Sequence, residues 1–128
     1  MKILGIGVDI IQNNRIKNSI KNHEFRDRIY SINELKLSTS SKNKIGYFSK
    51  RFAAKEAFAK ALGTGFRNDL NFKDIEIMND KFGKPYYSKT KKITQIIRKK
   101  FKVKNFNCLL SISDEKEYST AFTIIQSI

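Results

Sequence analysis

The stretch RFAAKEAFAKALGTG, Arg51 to Gly65, constrains the fold more than any other part of the chain. Alanine, lysine, phenylalanine and leucine favour helix, and the segment from Ile45 to Leu62 reads as one long helix closed by the Gly-Thr-Gly turn. Its alanines and phenylalanines require that much of its surface be packed against something else. A chain of 128 residues with ten phenylalanines is large enough to provide that cover within a single domain, residues 1–128. The helix also raises a question of charge. The chain carries 26 Lys and Arg against 12 Asp and Glu, a formal net charge of +14, yet Glu56 stands alone as an acid in the middle of this apolar helix.

The other segments define the partners of the helix. Ile3 to Ile10 is expected to be a strand, followed by a helix near Asn13 to Asn22 and a short helix over Phe25 to Tyr30. Ser31 to Glu34, SINE, has the form of a capping box. STSSKNK, Ser38 to Lys44, reads as a loop. DIEIMND, Asp74 to Asp80, is expected to be a strand, and Gly83, Lys84 and Pro85 turn the chain into a short strand at Tyr86 and Tyr87. Ser88 is expected to cap a basic amphipathic helix with Ile93, Ile96, Ile97 and Phe101 inward. FNCLLSIS and YSTAFTIIQ form a last hairpin across DEKE. The pattern is α+β: a mainly antiparallel sheet with helices packed on it.

Composition removes several chemistries. One cysteine, Cys108, and one histidine, His23 in the charged segment KNHEF, allow no disulfide within the chain and no zinc site of the usual Cys/His kind. Catalysis here has to rest on carboxylates, lysines or a hard metal held by oxygen. No run approaches 18 apolar residues, so neither a membrane span nor membrane binding is expected, and the first strand is too short to read as a signal peptide. The expected location is the cytoplasm, or an organellar matrix if a transit peptide has been removed. The basic balance calls for an anionic partner: nucleic acid, an acidic protein or a phosphorylated small molecule.

Asp9 ends the apolar run ILGIGVDII. A half-buried acid there needs a cation, which a lysine ion pair provides, unless its role is to cap the helix that follows. Gly5 and Gly7 before it allow a backbone or a ligand to approach closely. Lys60 lies four residues after Glu56, the spacing of an ordinary surface ion pair. Two carboxylates from distant parts of the chain, without His or Cys, also suit Mg²⁺, which takes one or two protein carboxylates and completes its shell with water and phosphate. Gly63 to Gly65 offers backbone N–H groups to an anion, or a helix C-cap at Gly63. The run from Lys81 to Lys104 holds ten Lys and Arg and no acid, mostly as a solvated face, with Lys84 the best placed for phosphate.

GIGVDI, RFAAKEAFAKALGTG, FRNDLNFKDIEI and GKP, spread from Ile3 to about Ile125, together resemble the holo-acyl-carrier-protein synthases, the small phosphopantetheinyl transferases of bacteria and bacterium-derived organelles. The resemblance implies a 4′-phosphopantetheinyl transferase-like fold. It implies transfer of the 4′-phosphopantetheine arm of coenzyme A to a serine of apo acyl carrier protein, with release of 3′,5′-ADP, in support of fatty acid biosynthesis. It further implies Mg²⁺ held by Asp9 and Glu56, and coenzyme A phosphates met by Arg51 and Lys60. The nucleotide end falls to Gly63, Thr64, Gly65, Lys84 and Pro85, with Ser111 in the C-terminal strand, and Arg15 meets the acidic carrier protein. Relatives are usually homotrimers with active sites between protomers. Many carry a histidine where this chain has Leu109. The general base is then Asp114, Glu34 or a metal-bound water, with Asp114 ranked first. Two alternatives stay open: a basic nucleic-acid-binding module without an RNA-binding motif, and a scaffold of this family that has lost turnover.

Overall fold

The chain begins with β1 (Lys2–Gln12) and three short helices, α1 (Asn13–Ser19), α2 (His23–Ile29) and α3 (Ile32–Ser38), before the long α4 (Lys44–Leu62). A 3₁₀ turn at Phe72–Asp74 leads into the small hairpin β2 (Ile77–Asn79) and β3 (Pro85–Tyr87). Helix α5 (Lys91–Phe101) and the hairpin β4 (Phe106–Asp114) and β5 (Tyr118–Ser127) complete it. The computed structural model describes residues 1–67 and 69–128; Asn68, inside the FRNDLNFKDIEI motif, lies outside them. The larger sheet is antiparallel throughout, in the order β1-β5-β4, and the α+β expectation holds.

Helix α4 lies on the inner face of this sheet. Ala53, Ala54, Ala57, Phe58, Ala61 and Leu62 are buried there against Ile11, Ala121 and Ile125. The strands are longer than the sequence suggests at β1 because Lys2 to Gln12 pair with Ser127 to Tyr118 along the whole length of β5. The helix after it is shorter than expected: Asn22 does not extend α1 but caps α2, accepting from the Glu24 and Phe25 amides. DIEIMND keeps only three strand residues, since Asn71 and Asp74 cap a 3₁₀ turn and commit Phe72–Asp74 to it. Helix α5 is capped by Thr90, whose hydroxyl accepts from the Ile93 amide at 3.2 Å, and not by Ser88. The Ser88 hydroxyl instead donates to Glu76 at 2.8 Å.

Two polar clusters fix the small hairpin to α4. Glu34 and Lys55 are fully buried and joined at 2.7 Å. The second Glu34 oxygen accepts from the Ile77 amide at 2.9 Å, and Lys55 also donates to the carbonyls of Phe72 and Ile75. The same glutamate closes the capping box on the Ser31 amide at 2.8 Å, so α3, α4 and β2 meet at one ion pair. On the other side, the Tyr87 hydroxyl shares hydrogen bonds with the Ala54 carbonyl and Thr123, both at 2.6 Å. Glu76 accepts from Ser31, Asn33 and Ser88.

Lys55→Met leaves the Glu34 carboxylate buried without its counterion, and unfolding in urea should show a loss of about 3–5 kcal/mol. Burial pushes the Glu76 carboxyl up, but hydrogen bonds from Ser31, Ser88 and Asn33 outweigh it and hold it below its ordinary value of 4.5. A depressed carboxylate stabilises the fold above its unfolded value and loses that contribution as pH falls through the folded one. Glu76→Gln should therefore cost about 1–2 kcal/mol at pH 7, a difference that shrinks as urea titrations are taken below pH 4.5.

Candidate active site

Alternation along β1 puts Ile6, Val8 and Ile10 on the outer face and Gly5, Gly7, Asp9 and Ile11 toward α4. A Cβ added at Gly7 would lie 1.9 Å from the Ala57 carbonyl oxygen, and one at Gly5 would lie 1.9 Å from that of Ala61. The glycines therefore admit the backbone of the helix. Two strand residues advance about 6.6 Å and four helical residues about 6.0 Å. The Gly5–Ala61 and Gly7–Ala57 steps thus continue to Asp9, which comes level with the turn of α4 that carries Glu56.

Asp9 and Glu56 are each half-buried in this seam. Burial pushes the Glu56 carboxyl up, and the charge of Asp9 adds to it, while Lys60 and Arg15 act against both. The helix cap expected as one role for Asp9 is not made: Gln12 precedes α1 and caps nothing with its side chain. Its cation is Lys60, whose ammonium donates to Asp9 at 3.2 Å and to the Val8 carbonyl at 3.0 Å. The Glu56–Lys60 surface pair is not formed among the described residues; Lys60 crosses to the strand instead. Two adjacent carboxylates, with the charge of Asp9 acting on Glu56, are a donor set that a divalent cation would relieve. Among the described residues no group of three or more His, Cys, Asp or Glu gathers. Such a pair suits an ion that takes its remaining ligands from water and phosphate.

Arg51 points the other way. It precedes Glu56 by five residues, about 140° around the helix. It is buried, its guanidinium lies over the Tyr47 ring at 3.7 Å, and one terminal nitrogen donates to Asn79 at 2.6 Å. Among the described residues its Nε has no hydrogen-bond partner, and it stands 4.0 Å from Glu34. A cleft of about 310 Å³ opens beside it, lined among others by Lys50, Gly83, Pro85 and Asp114. Neither Tyr47 nor Asn79 stands out in the sequence. The i, i+4 spacing of Tyr47 and Arg51 was the available signal for the first.

The remaining candidates divide between these places. Asp114, at the exposed end of β4, joins the Arg51 cleft and not the carboxylate pair of its own chain. Glu34 is withdrawn from the choice of base, since both oxygens are engaged in the core. Gly63 caps α4 in the left-handed conformation, φ 82°, and its N–H bonds the Ala59 and Lys60 carbonyls. That amide is taken, so an anion would find only Thr64 and Gly65. Lys84 is exposed in the β2–β3 turn, Arg15 is exposed on α1, and Ser111 stands on the outer face of the sheet opposite Phe122.

With this geometry in hand, comparison with known proteins is specific. The sequence model of the 4′-phosphopantetheinyl transferase superfamily matches residues 5–123. A holo-[acyl-carrier-protein] synthase of Pelagibacter ubique strain HTCC1062 is 58% identical over 126 residues, 98% of each chain. The crystal structure of the synthase from Neisseria meningitidis superposes with a TM-score of 0.87 at 35% identity, covering 98% of this chain and 99% of that one. The Bacillus anthracis strain Ames synthase in complex with CoA (3′,5′-ADP) gives a TM-score of 0.82 at 35% identity with full coverage of both. The chain belongs to the holo-[acyl-carrier-protein] synthase family, and it is a phosphopantetheinyl transferase.

Gly7→Ala would drive a methyl group into the Ala57 carbonyl. The expected cost exceeds the about 1–3 kcal/mol of ordinary overpacking, visible as a lower urea midpoint or loss of folded protein, whereas Gly83→Ala, with open space around its Cβ position, should fold and lose only the about 1–2 kcal/mol of left-handed backbone strain at φ 86°.

Proposed function

We propose that the chain transfers the 4′-phosphopantetheine arm of coenzyme A to a serine of apo acyl carrier protein, releasing 3′,5′-ADP, with Mg²⁺ as its cofactor. The observation that carries this reading is the seam in which Asp9 and Glu56 sit side by side with Lys60. Asp9 and Glu56 would hold the ion, which when bound neutralises charge on the diphosphate. Lys60, its ammonium largely exposed, is free to turn from Asp9 toward a phosphate oxygen. The serine hydroxyl attacks the phosphorus that bears the pantetheine arm, the bond to the leaving phosphate breaks, and the hydroxyl proton goes to solvent or to a base at the seam. Arg51, Gly83, Pro85 and Asp114 form a second, basic cleft that suits the nucleotide end, with Lys84 beside it.

Within one chain these are two half-sites on different sides of α4, and a second copy would bring them together. The outer sheet face supports that arrangement. Ile6, Val8 and Ile10 are 61, 55 and 64% exposed, and Leu109 and Phe122 lie on the same face, an apolar area of the kind that protein partners cover. The reading is therefore a homotrimer with active sites between protomers. Leu109 belongs to this face. Arg15, close enough to act on Glu56, lies where an acidic carrier protein would enter, and the +14 charge would speed that encounter. No helix among the described residues is long and apolar enough to cross a membrane. The reading places the work in the cytoplasm, on the carrier protein of fatty acid biosynthesis.

The test is the intact mass of apo acyl carrier protein incubated with the protein, coenzyme A and Mg²⁺. The carrier should gain one phosphopantetheine arm. The rate should fall on the order of 10²-fold or more in Asp9→Ala and Glu56→Ala, and a chelator should abolish it. No gain with several carrier proteins would mark a scaffold without turnover. A salt-sensitive shift with generic RNA in its place would favour a nucleic-acid module. Light scattering should give three chains per particle.

A further inference from the structure

Arg51 stands between two acceptors. Its terminal nitrogen is 2.6 Å from the Asn79 side-chain oxygen, a short charge-assisted bond, while its Nε is 4.0 Å from the Glu34 carboxylate, beyond hydrogen-bond reach. Glu34 is fully occupied by the Ser31 and Ile77 amides and by Lys55. The guanidinium is thus held off a buried carboxylate by one amide and by the Tyr47 face beneath it. Its Nε is buried and finds no partner among the described residues, which leaves the cation short of one acceptor there.

Asn79 makes a second bond in the other direction. Its side-chain nitrogen donates to the Gly83 carbonyl at 2.9 Å. Gly83 adopts φ 86° in a turn that Asp80 clamps from within, its carboxylate accepting from the Phe82 amide at 2.8 Å and the Lys84 amide at 2.9 Å. One short side chain therefore joins a rigid turn to a buried cation, and both border the same cleft. We infer that Asn79 is a positioning residue for nucleotide binding: it fixes Arg51 and the Gly83 turn relative to each other and keeps the guanidinium facing the cleft instead of closing onto Glu34. The inference rests on the proposed use of that cleft for the coenzyme A nucleotide, and it assigns the position of Arg51 to a residue that need not touch the ligand.

Calorimetric titration of the full-length protein with coenzyme A and with 3′,5′-ADP tests it, beside steady-state transfer kinetics. Asn79→Ala should weaken both ligands about tenfold, the value of one charge-assisted hydrogen bond. It should raise KM for coenzyme A correspondingly and leave kcat at saturation within about twofold of the parent. The decisive comparison is a double-mutant cycle. In an Arg51→Ala background, or Arg51→Lys if that variant fails to fold, Asn79→Ala should cost clearly less than in the parent, the remainder coming from the loosened Gly83 turn. Additive losses would overturn the inference, since Asn79 would then act on the ligand directly. Unchanged affinity in Asn79→Ala would overturn it as well, while leaving the transferase reading intact as long as the parent transfers the arm. A parent that binds neither ligand would overturn both.

Discussion

The close approach of β1 to α4 is the constraint on which the rest depends. A helix normally stands off a sheet by the length of its side chains, but at Gly5 and Gly7 there are none, and the carbonyls of Ala57 and Ala61 come down to the strand. Alanines on one element and glycines on the other make the contact nearly backbone to backbone. This fixes the rotation and the axial position of the helix together. Every side chain that leaves α4 then has a determined direction: Glu56 and Lys60 to the seam with Asp9, Lys55 to the core, Arg51 to the hairpin.

The buried Lys55–Glu34 pair provides the second reference. An ion pair in the core is a weak source of net stability, because desolvating both groups offsets much of their attraction. Its effect here is one of registration. Lys55 accepts no substitute partner among the surrounding apolar groups, and Glu34 is bound on both oxygens, so α3, α4 and the start of β2 can meet in one way only. The hairpin that carries Asn79, Gly83 and Pro85 is positioned from this point.

Much of this was legible in the sequence. The helix RFAAKEAFAKAL, the SINE capping box and the final hairpin are written in local propensity and periodicity. Asp9 and Glu56 stood out as acids in apolar surroundings. Less was legible where the deciding partner lies far along the chain. The two glycines left a choice between backbone and ligand that only Ala57 and Ala61 resolve. Lys60 reads as a partner for Glu56 by helical spacing, yet it reaches Asp9, 51 residues away. Glu34 stays among the possible bases in the sequence, and only Lys55 and Ile77, both distant along the chain, reveal that its carboxylate is buried. Ser88 looked like a helix cap, but Glu76 claims its hydroxyl. Gly63 illustrates the opposite case, in which the plainer reading of a helix end prevails over anion binding.

The demands on α4 also bear on how freely the gene can drift. Between Arg51 and Ala61 nearly every position is already assigned: alanines where any larger group would push the strand away, a lysine neutralising the core, an acid in the seam, an arginine under the hairpin. Structural and chemical requirements overlap on the same eleven letters, which leaves almost no silent positions there. Between α3 and α4 only the exposed Thr39, Ser40 and Lys42 carry no such load and are free to vary; Ser38, expected in this loop, is the buried end of α3, and Asn43 caps α4 by accepting from the Gly46 amide. The segment that is easiest to recognise is the one in which independent physical requirements coincide most densely.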